Sequence, residues 1–468
     1  MMPFKIDILW TDAVFFVLLA SIFILIFFQR KQMKHARWTQ VFKNKVGMSS
    51  AVVLFFYLCI AFLDSLHFRP ELSQRLPNQE TLYATQVESV LDLILSPLDV
   101  QMETTYAAPF ATTSFAEEPH LVQGQVVYDF EPLRYTAEHI PPDTPTLTEI
   151  SHIMRAALPM TGLLTAVTLV VIFFLVTLGS PTRIKALFIR IIRPAPRGVC
   201  WRTFMITWVL MLFLCTTLYY LSRHYHIFGT DKIGQDVFYQ AVKSIRTGVM
   251  IGTLTTLVML PFALLMGTLA GYFRGVIDDV IQYTYTTLSS IPSILLIAAS
   301  VLILEVFMNQ HAQWFASTAA RADARLFALC VILGLTSWTS LCRLIRAETL
   351  KLRELDYVLA AQALGVRNLM IILKHIFPNL LHIILITIVL DFSGLVLAEA
   401  VLSYIGVGVD PSMQSFGNMI NSARLELARE PTVWWPLAAA FIFMFVLVLA
   451  ANLFADTVRD ALDPRKAG

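Results

Sequence analysis

The stretch Glu348-Thr-Leu-Lys-Leu-Arg-Glu-Leu-Asp-Tyr357, continuing Val358-Leu-Ala-Ala-Gln-Ala-Leu-Gly-Val-Arg367 and ending His375-Ile-Phe-Pro-Asn379, separates two long apolar runs. It is mixed in charge and helical in character. Ala360, Ala361 and Ala363 leave a narrow helix surface that a second protein can approach closely. Gly365 lets the chain turn sharply after that short helix, and Pro378 marks a break before the next apolar run. A membrane protein with a mechanical handle for a motor on its inner side would carry such an element. An ordinary helical hairpin between two spans has the same pattern.

The flanking runs, 326–345 and 380–403, belong to a set of nine, the others being roughly 9–28, 49–66, 157–179, 203–221, 247–271, 281–307 and 434–454. A helix crossing the bilayer core needs about 20 mostly apolar residues. The chain has 468 residues, is 57% hydrophobic and 15% charged, and has a mean hydropathy of +0.67. Soluble domains are about 45–50% apolar and about 25% charged. These values exclude a soluble enzyme, a disordered chain and a nucleic-acid binder. They predict an all-α polytopic membrane protein with about nine transmembrane helices. The first run is an anchor rather than a signal peptide, because it is long, only Lys5 precedes it, and the basic residues follow it.

Charge sets the orientation. Arg30, Lys31, Lys34, Arg37, Lys43 and Lys45 lie between the first two runs with no acid among them, as do Arg183, Lys185, Arg190, Arg193, Arg197 and Arg202 between the third and fourth. Both loops are expected in the cytoplasm. The segment 67–154 has thirteen Asp or Glu against Arg69, Arg75 and Arg134, and is expected outside. Nine spans with an inner C-terminus then require an outer N-terminus. The outer segment is either a structural cap or a surface that contacts a partner. Leu91–Leu95 predicts a short helix within it and Leu121–Tyr128 a short strand.

The loop after the fourth run reads Gly229-Thr-Asp-Lys-Ile-Gly-Gln-Asp-Val237. Gly229 and Gly234 permit tight turns, while Asp231 and Asp236 are suited to cap a short helix lying along the outer surface. Thr230 completes this candidate site. Of the five cysteines, Cys59, Cys215, Cys330 and Cys342 sit in apolar runs and Cys200 in a basic stretch, a pattern that suggests neither a disulfide nor a metal cluster. Glu399, inside a span, must face protein or water, and either lines a pathway or pairs between helices. Arg343 and Arg346 read as anchors at the inner end of their span.

Tyr357–Gly365 followed by Ile372–Asn379 resembles the EAA loop of ABC importer permeases. Gly229–Val237 resembles the GTDxxGRDV motif of the dipeptide, oligopeptide and nickel permeases, and Ala270–Asp278, Ala398–Val409 and Val458–Pro464 are also similar to that family. The likeness runs through 200–468, touches Ala36-Arg-Trp38 to Gly47, and is greatest to the second, C-type, permease of a peptide importer. It departs at Leu359, where the family has Glu, at His375, where Ile is common, and at Gln235, where the motif has Arg.

The resemblance implies an importer subunit of the bacterial inner membrane. Its six-span type I permease core would be 203–468, with an ATPase-coupling loop at 348–378 carrying Ala360, Ala361, Gly365 and Pro378. Residues 1–48 would be an N-terminal anchor and basic segment, and 49–202 added spans with the outer insertion. It further implies a homologous second permease, two ATP-binding subunits and an extracytoplasmic substrate-binding protein. Cofactors are expected to be none in this chain, with ATP and Mg held by the ATPase partners, since no Gly-x-x-x-x-Gly-Lys-Ser/Thr loop is present. The competing classes are an ion-driven secondary transporter, for which no repeated halves are found, and a membrane-embedded hydrolase. For the latter, Asp391 and Glu399 stand about 12 Å apart along a helix, too far for a ready pair.

Overall fold

A computed structural model describes residues 4–29, 38–71, 83–100, 102–122, 125–135, 146–177, 200–315 and 317–462. The basic residues Arg30–Arg37 and Arg183–Arg197 of the orientation argument lie outside these. A strand β1 (Phe4–Ile6) leads into α1 (Trp10–Gln29), followed by a single turn, α2 (Trp38–Val41), and by α3 (Lys45–Asp64). The acidic segment holds β2 (His67–Pro70), β3 (Glu88–Ser89), α4 (Val90–Ile94), α5 (Ser96–Val100), β4 (Glu118–Val122) and β5 (Gln125–Asp129). Then come α6 (Thr146–Thr177), α7 (Trp201–Ser222), α8 (Val237–Phe273), α9 (Val276–Ser290), α10 (Ser293–Gln310) and α11 (Thr318–Arg353). The chain ends with α12 (Asp356–Ala363), α13 (Asn368–Ile371), a π-helical turn (Ile372–Ile376), α14 (Phe377–Tyr404), α15 (Phe416–Glu426) and α16 (Trp435–Leu462).

Eight of the described helices are long and apolar enough to cross a membrane: α3, α6, α7, α8, α10, α11, α14 and α16. The ninth expected span is α1, a 20-residue apolar helix. Caps fix several starts in the way the residue types dictate. Asn44 accepts the Val46 amide, Ser317 the Ala320 amide and Ser415 the Asn418 amide. Ser89 and Asp92 form a reciprocal capping box on α4.

Helix α8 is the hub. It packs against α11, α3, α14, α16 and α1. Its 37 residues span roughly 55 Å at 1.5 Å per residue, well beyond a hydrocarbon core of about 30 Å. Glycines bring α8 and α11 together: a Cβ on Gly267 would lie 2.8 Å from the Cys342 carbonyl oxygen, one on Gly271 2.8 Å from that of Arg346, and one on Gly334 3.0 Å from that of Thr255. By contrast α7 packs on α6 and α3.

Several expectations change. The run 281–307 is not one helix: it breaks at Ile291-Pro292 into α9 and α10, because proline disfavours helix at the residue before it. The strand expected at 121–128 is a hairpin, β4 paired antiparallel with β5 from Glu118↔Asp129 to Val122↔Gln125. No separate surface helix follows Asp236, which instead caps α8 itself. Pro378 does not break the chain either: it sits in the first turn of α14, where no intrahelical donor is needed, and the π-turn feeds directly into it.

The two ends of the bundle are built differently. At one end β1 pairs with β2 (Phe4↔Pro70, Ile6↔Phe68) and β2 with β3, so the chain start, the end of α3 and the acidic segment lie together. At the other, the Cys200 amide donates to the Phe42 carbonyl at 3.0 Å and Val41 packs on Val458. Gly271→Ala is expected to destabilise the protein by about 1–3 kcal/mol, since its new methyl would meet Thr349 Cβ at 2.6 Å as well as backbone. Gly162→Ala, with nothing within 4 Å, should be neutral. Thermal unfolding in detergent, followed by exposure of the buried Cys330 and Cys342 thiols, measures both.

Candidate functional site

Two loop systems carry the residues singled out by sequence, one at each end. The first is the connection from α11 to α14. Helix α12 is only two turns long, and its end is set by a hydrogen-bond pair. The Val366 amide donates to the Ala361 carbonyl at 3.1 Å and the Gly365 amide to that of Gln362 at 3.0 Å. This closure requires a left-handed residue, and Gly365 has φ +74°. A Cβ there would meet no atom within 4 Å, so the site is open to its surroundings.

The helix has two distinct faces. Val358 and Ala361 are buried in a cluster with Tyr272 of α8, Ile345 of α11, and Ile371 and Ile376. Tyr357, Leu359, Ala360 and Leu364 are exposed, Leu364 at 83%. The alanine pair therefore divides: Ala361 meets this chain's own core and Ala360 faces out. Pro378 lies beyond the Gly365 turn, in the column formed by α13, the π-turn and α14, next to Asn379, whose Nδ2 donates to Tyr357 Oη of α12 at 3.1 Å and to the His375 carbonyl at 2.7 Å. Tyr272 Oη donates to Asn368 Oδ1 at 3.0 Å, and Arg353 lies over the Tyr272 ring at 5.9 Å. Arg346 is no free anchor: its guanidinium grips Asp278 at 2.6 Å through two nitrogens and holds that carboxyl below its usual pKa. Arg343 stacks over Tyr285 at 4.9 Å.

The second system is the loop between α7 and α8. Thr230 is fully buried; its hydroxyl accepts the Ala107 amide at 2.6 Å and donates to the Thr105 carbonyl at 2.9 Å, while its own carbonyl accepts Trp435 Nε1 at 2.8 Å. Asp231 caps no helix. Its carboxylate folds the loop by accepting the Ile233 and Gln235 amides, each at 2.9 Å, and Gln240 Nε2 at 2.7 Å. Asp236 accepts the Tyr239 amide at 2.9 Å. A Cβ on Gly229 would collide with the Ala107 carbonyl at 2.2 Å, and one on Gly234 with that of Glu103 at 1.9 Å. Thus both glycines are where the acidic segment lies on the loop.

Sequence reasoning missed the residues that lock this contact: Glu103, His226 and Trp435. The Asp236 carboxylate meets His226 Nδ1 at 2.7 Å, and Glu103 stands 3.7 Å from Nε2, an ionic contact. Glu103 also accepts the Tyr135 and Arg134 amides at 2.9 and 3.1 Å. Burial pulls the His226 pKa down, but Asp236 and Glu103 outweigh it and raise it to about 9. Burial also works against the Glu103 carboxylate, and His226 with the two amides reverses that and lowers its pKa. The only sequence signal for His226 is its place ten residues before a helix-capping Asp.

Glu399 lies in the last turns of α14, 1% exposed. Ser403 donates to its Oε1 at 2.7 Å, and Gly417 of α15 lies close enough that a Cβ there would stand 3.1 Å from that oxygen. Its surroundings are thus helix–helix contacts.

Residues 263–468 match the family described as "Binding-protein-dependent transport system inner membrane component". The chain is 33% identical over 240 residues to the dipeptide transport system permease protein DppC of Alkalihalophilus pseudofirmus, covering 51% of this chain and 72% of that protein. It is 30% identical over 239 residues to the oligopeptide transport system permease protein OppC of Mycobacterium tuberculosis H37Rv, covering 51% and 76%. To the OppC protein of Bacillus subtilis it is 29% identical over 240 residues, covering 51% and 72%.

The raised pKa of His226 makes a signed prediction. Its protonated form is favoured on folding, so the stabilisation, on the order of 3 kcal/mol, is complete below the ordinary histidine pKa of about 6.5. It is lost progressively as pH rises from there through about 9. Unfolding temperature measured from pH 6 to 10 should fall across that window, and His226→Gln should flatten the fall.

Proposed function

The chain belongs to the family of binding-protein-dependent transport system inner membrane components, and on that premise we propose that it is the permease subunit of an ATP-driven importer of peptides. It is a multi-pass protein of the bacterial inner membrane. ATP-hydrolysing and substrate-binding partners accompany such permeases. In the reading advanced here, two ATP-binding subunits hold the nucleotide and Mg, a homologous permease completes the pathway, and this chain makes and breaks no bonds.

The observation that carries the reading is α12: a short helix closed by a left-handed glycine, with one face on α8 and α11 and the other unpartnered. Exposed Leu359, Ala360 and Leu364 supply the contact for the ATPase subunit. Inward-facing Val358 and Ala361 pass its movement to Tyr272 and Ile345. Nucleotide-driven closure of the ATPase pair then tilts α8, α11 and α14 as rigid bodies and switches access between the two sides. We place the six-helix core in α3, α8, α10, α11, α14 and α16, since α3 packs on α8 and α16 while α7 packs outside with α6. The core proposed from sequence alone, 203–468, had α7 in place of α3. Residues 67–154 lie on the outer side in this reading, and 348–378 on the inner.

The sidedness is tested with single cysteines at Thr104 and Lys185 in a Cys-free chain. An impermeant thiol reagent applied to intact spheroplasts should label the first and spare the second; the opposite pattern would invert the topology.

Gly365→Asp tests the coupling. Because nothing lies within 4 Å of the new Cβ, the cost inside this chain is only the left-handed strain of about 1 kcal/mol, and insertion should survive. Peptide uptake and peptide-stimulated ATP hydrolysis should fall together, with the ATPase subunit bound less tightly. Leu359→Glu, at an exposed position, should leave both intact. Normal uptake by Gly365→Asp at wild-type membrane levels would remove the coupling role.

A further inference from the structure

Helices α9 and α10 leave one side uncovered, and the residues on it are poorly suited to lipid. Their depth follows from two ion pairs to α11. Arg346 grips Asp278 at the start of α9, and Arg325 stands 3.7 Å from Glu305 near the end of α10. Between these two arginines α11 rises about 31 Å at 1.5 Å per residue. That is close to the hydrocarbon core of about 30 Å. The chain from Asp278 to Glu305 therefore lies at membrane depth.

One face of α9 is used within the chain: Ile281 and Tyr285 are buried among Met259 and Ala263 of α8 and Leu341 of α11. The opposite face carries Tyr283, Thr286, Thr287 and Ser290, at the i, i+3, i+4, i+7 spacing of one helix side. Ser293 lies just past the break. All five are exposed, Tyr283 at 75%. Ser290 returns its hydroxyl to the Thr287 carbonyl at 2.7 Å. The hydroxyls of Tyr283, Thr286, Thr287 and Ser293 meet no partner among the described residues.

The backbone gives an independent indication. It is broken at Ile291-Pro292, both exposed, and no side chain caps the start of α10. Lipid satisfies neither a free hydroxyl nor an open backbone, so non-helical chain at this depth must be buried in protein or border water. Within this chain it is not buried. A fixed partner helix would have to set one group opposite each hydroxyl. A hydroxyl rotates, and both donates and accepts, so an unpaired row of them suits a guest whose register shifts as it passes. A peptide main chain, with a donor and an acceptor at nearly every residue, is such a guest.

We propose that the face over 283–293 is this subunit's wall of the passage, wetted by water and hydrogen-bonding to the main chain of a peptide in transit. The proposal rests on the peptide-permease reading and adds to it the part of this chain that the peptide touches inside the membrane.

The test uses the full chain, Cys-free and assembled with its partners, in membrane fragments of its own host. Thr286→Cys, Ser293→Cys and Ile303→Cys are each exposed to a charged methanethiosulfonate. Ile303 is 71% exposed on α10 and apolar, so it reports the lipid side. The reagent attacks the thiolate, which forms where water reaches it, so the first two should react at least about tenfold faster than the third. Excess trialanine should slow both. Cysteine is close to serine and threonine in size, and the two positions are read separately, so loss of one variant leaves the other. Reaction as slow as at Ile303 would give the face to lipid or to a second permease and overturn the proposal. Fast reaction that trialanine leaves unchanged would overturn the peptide contact. Trialanine uptake by the same cells separates that result from a failure of the peptide-permease reading, under which uptake itself is lost.

Discussion

Everything in this bundle depends on how closely α8 and α11 approach. Inside a bilayer, apolar side chains gain nothing by leaving lipid for one another, so helix association rests on close packing and on polar contacts. Gly267 and Gly271 form a G-x-x-x-G pair on α8, and Gly334 answers from α11. With backbones in contact, the two helices form a rigid pair to which the rest attach: α3, α14 and α16 on α8, and α10 and α14 on α11. The same pair links the two ends. Tyr272 and Ile345 meet the short helix α12 at one end; Arg246 and Asp323 meet the start of α1 at the other.

The membrane spans were legible because a single quantity, unbroken apolarity over enough residues, decides them. The left-handed turn at Gly365 was legible too, since glycine after a short helical pattern has few other uses. What sequence did not disclose depends on partners far apart along the chain. Thr11 meets Asp323, and Asp12 meets Arg246, across intervals that periodicity cannot bridge. The break at Pro292 was hidden because the residues before it from Ile281 on are uncharged, though many are Gln, Thr or Ser, and so read as one run with the apolar helix that follows; the π-turn before Pro378 was hidden because it leaves no composition of its own. Ala360 and Ala361 looked equivalent as letters; only the position of the helix against α8 and α11 makes one inward and the other outward.

The motif at 229–237 gains a different meaning once its neighbours are known. Its two glycines and its threonine hold the backbone of the acidic segment at Ala107, Thr105 and Glu103. The ion contacts of His226 with Asp236 and Glu103 then fasten that segment to the start of α8. The segment is thus joined to the hub helix rather than suspended beside it, and movement of α8 would carry it along.

The β1–β2 ladder has a mechanical corollary. Phe4 stands opposite Pro70 in the β1–β2 ladder and the Asp7 amide donates to the His67 carbonyl at 3.1 Å, so the stretch that starts at Phe4 and returns at Pro70 is clasped at its two ends. A pull on the chain start loads that clasp and the Arg69–Asp7 pair before any helix. Only after the clasp parts does the load reach Asp12 and its arginine. Extraction of α1 would therefore begin as peeling at the rim, and the helix would hold its place until the rim had opened.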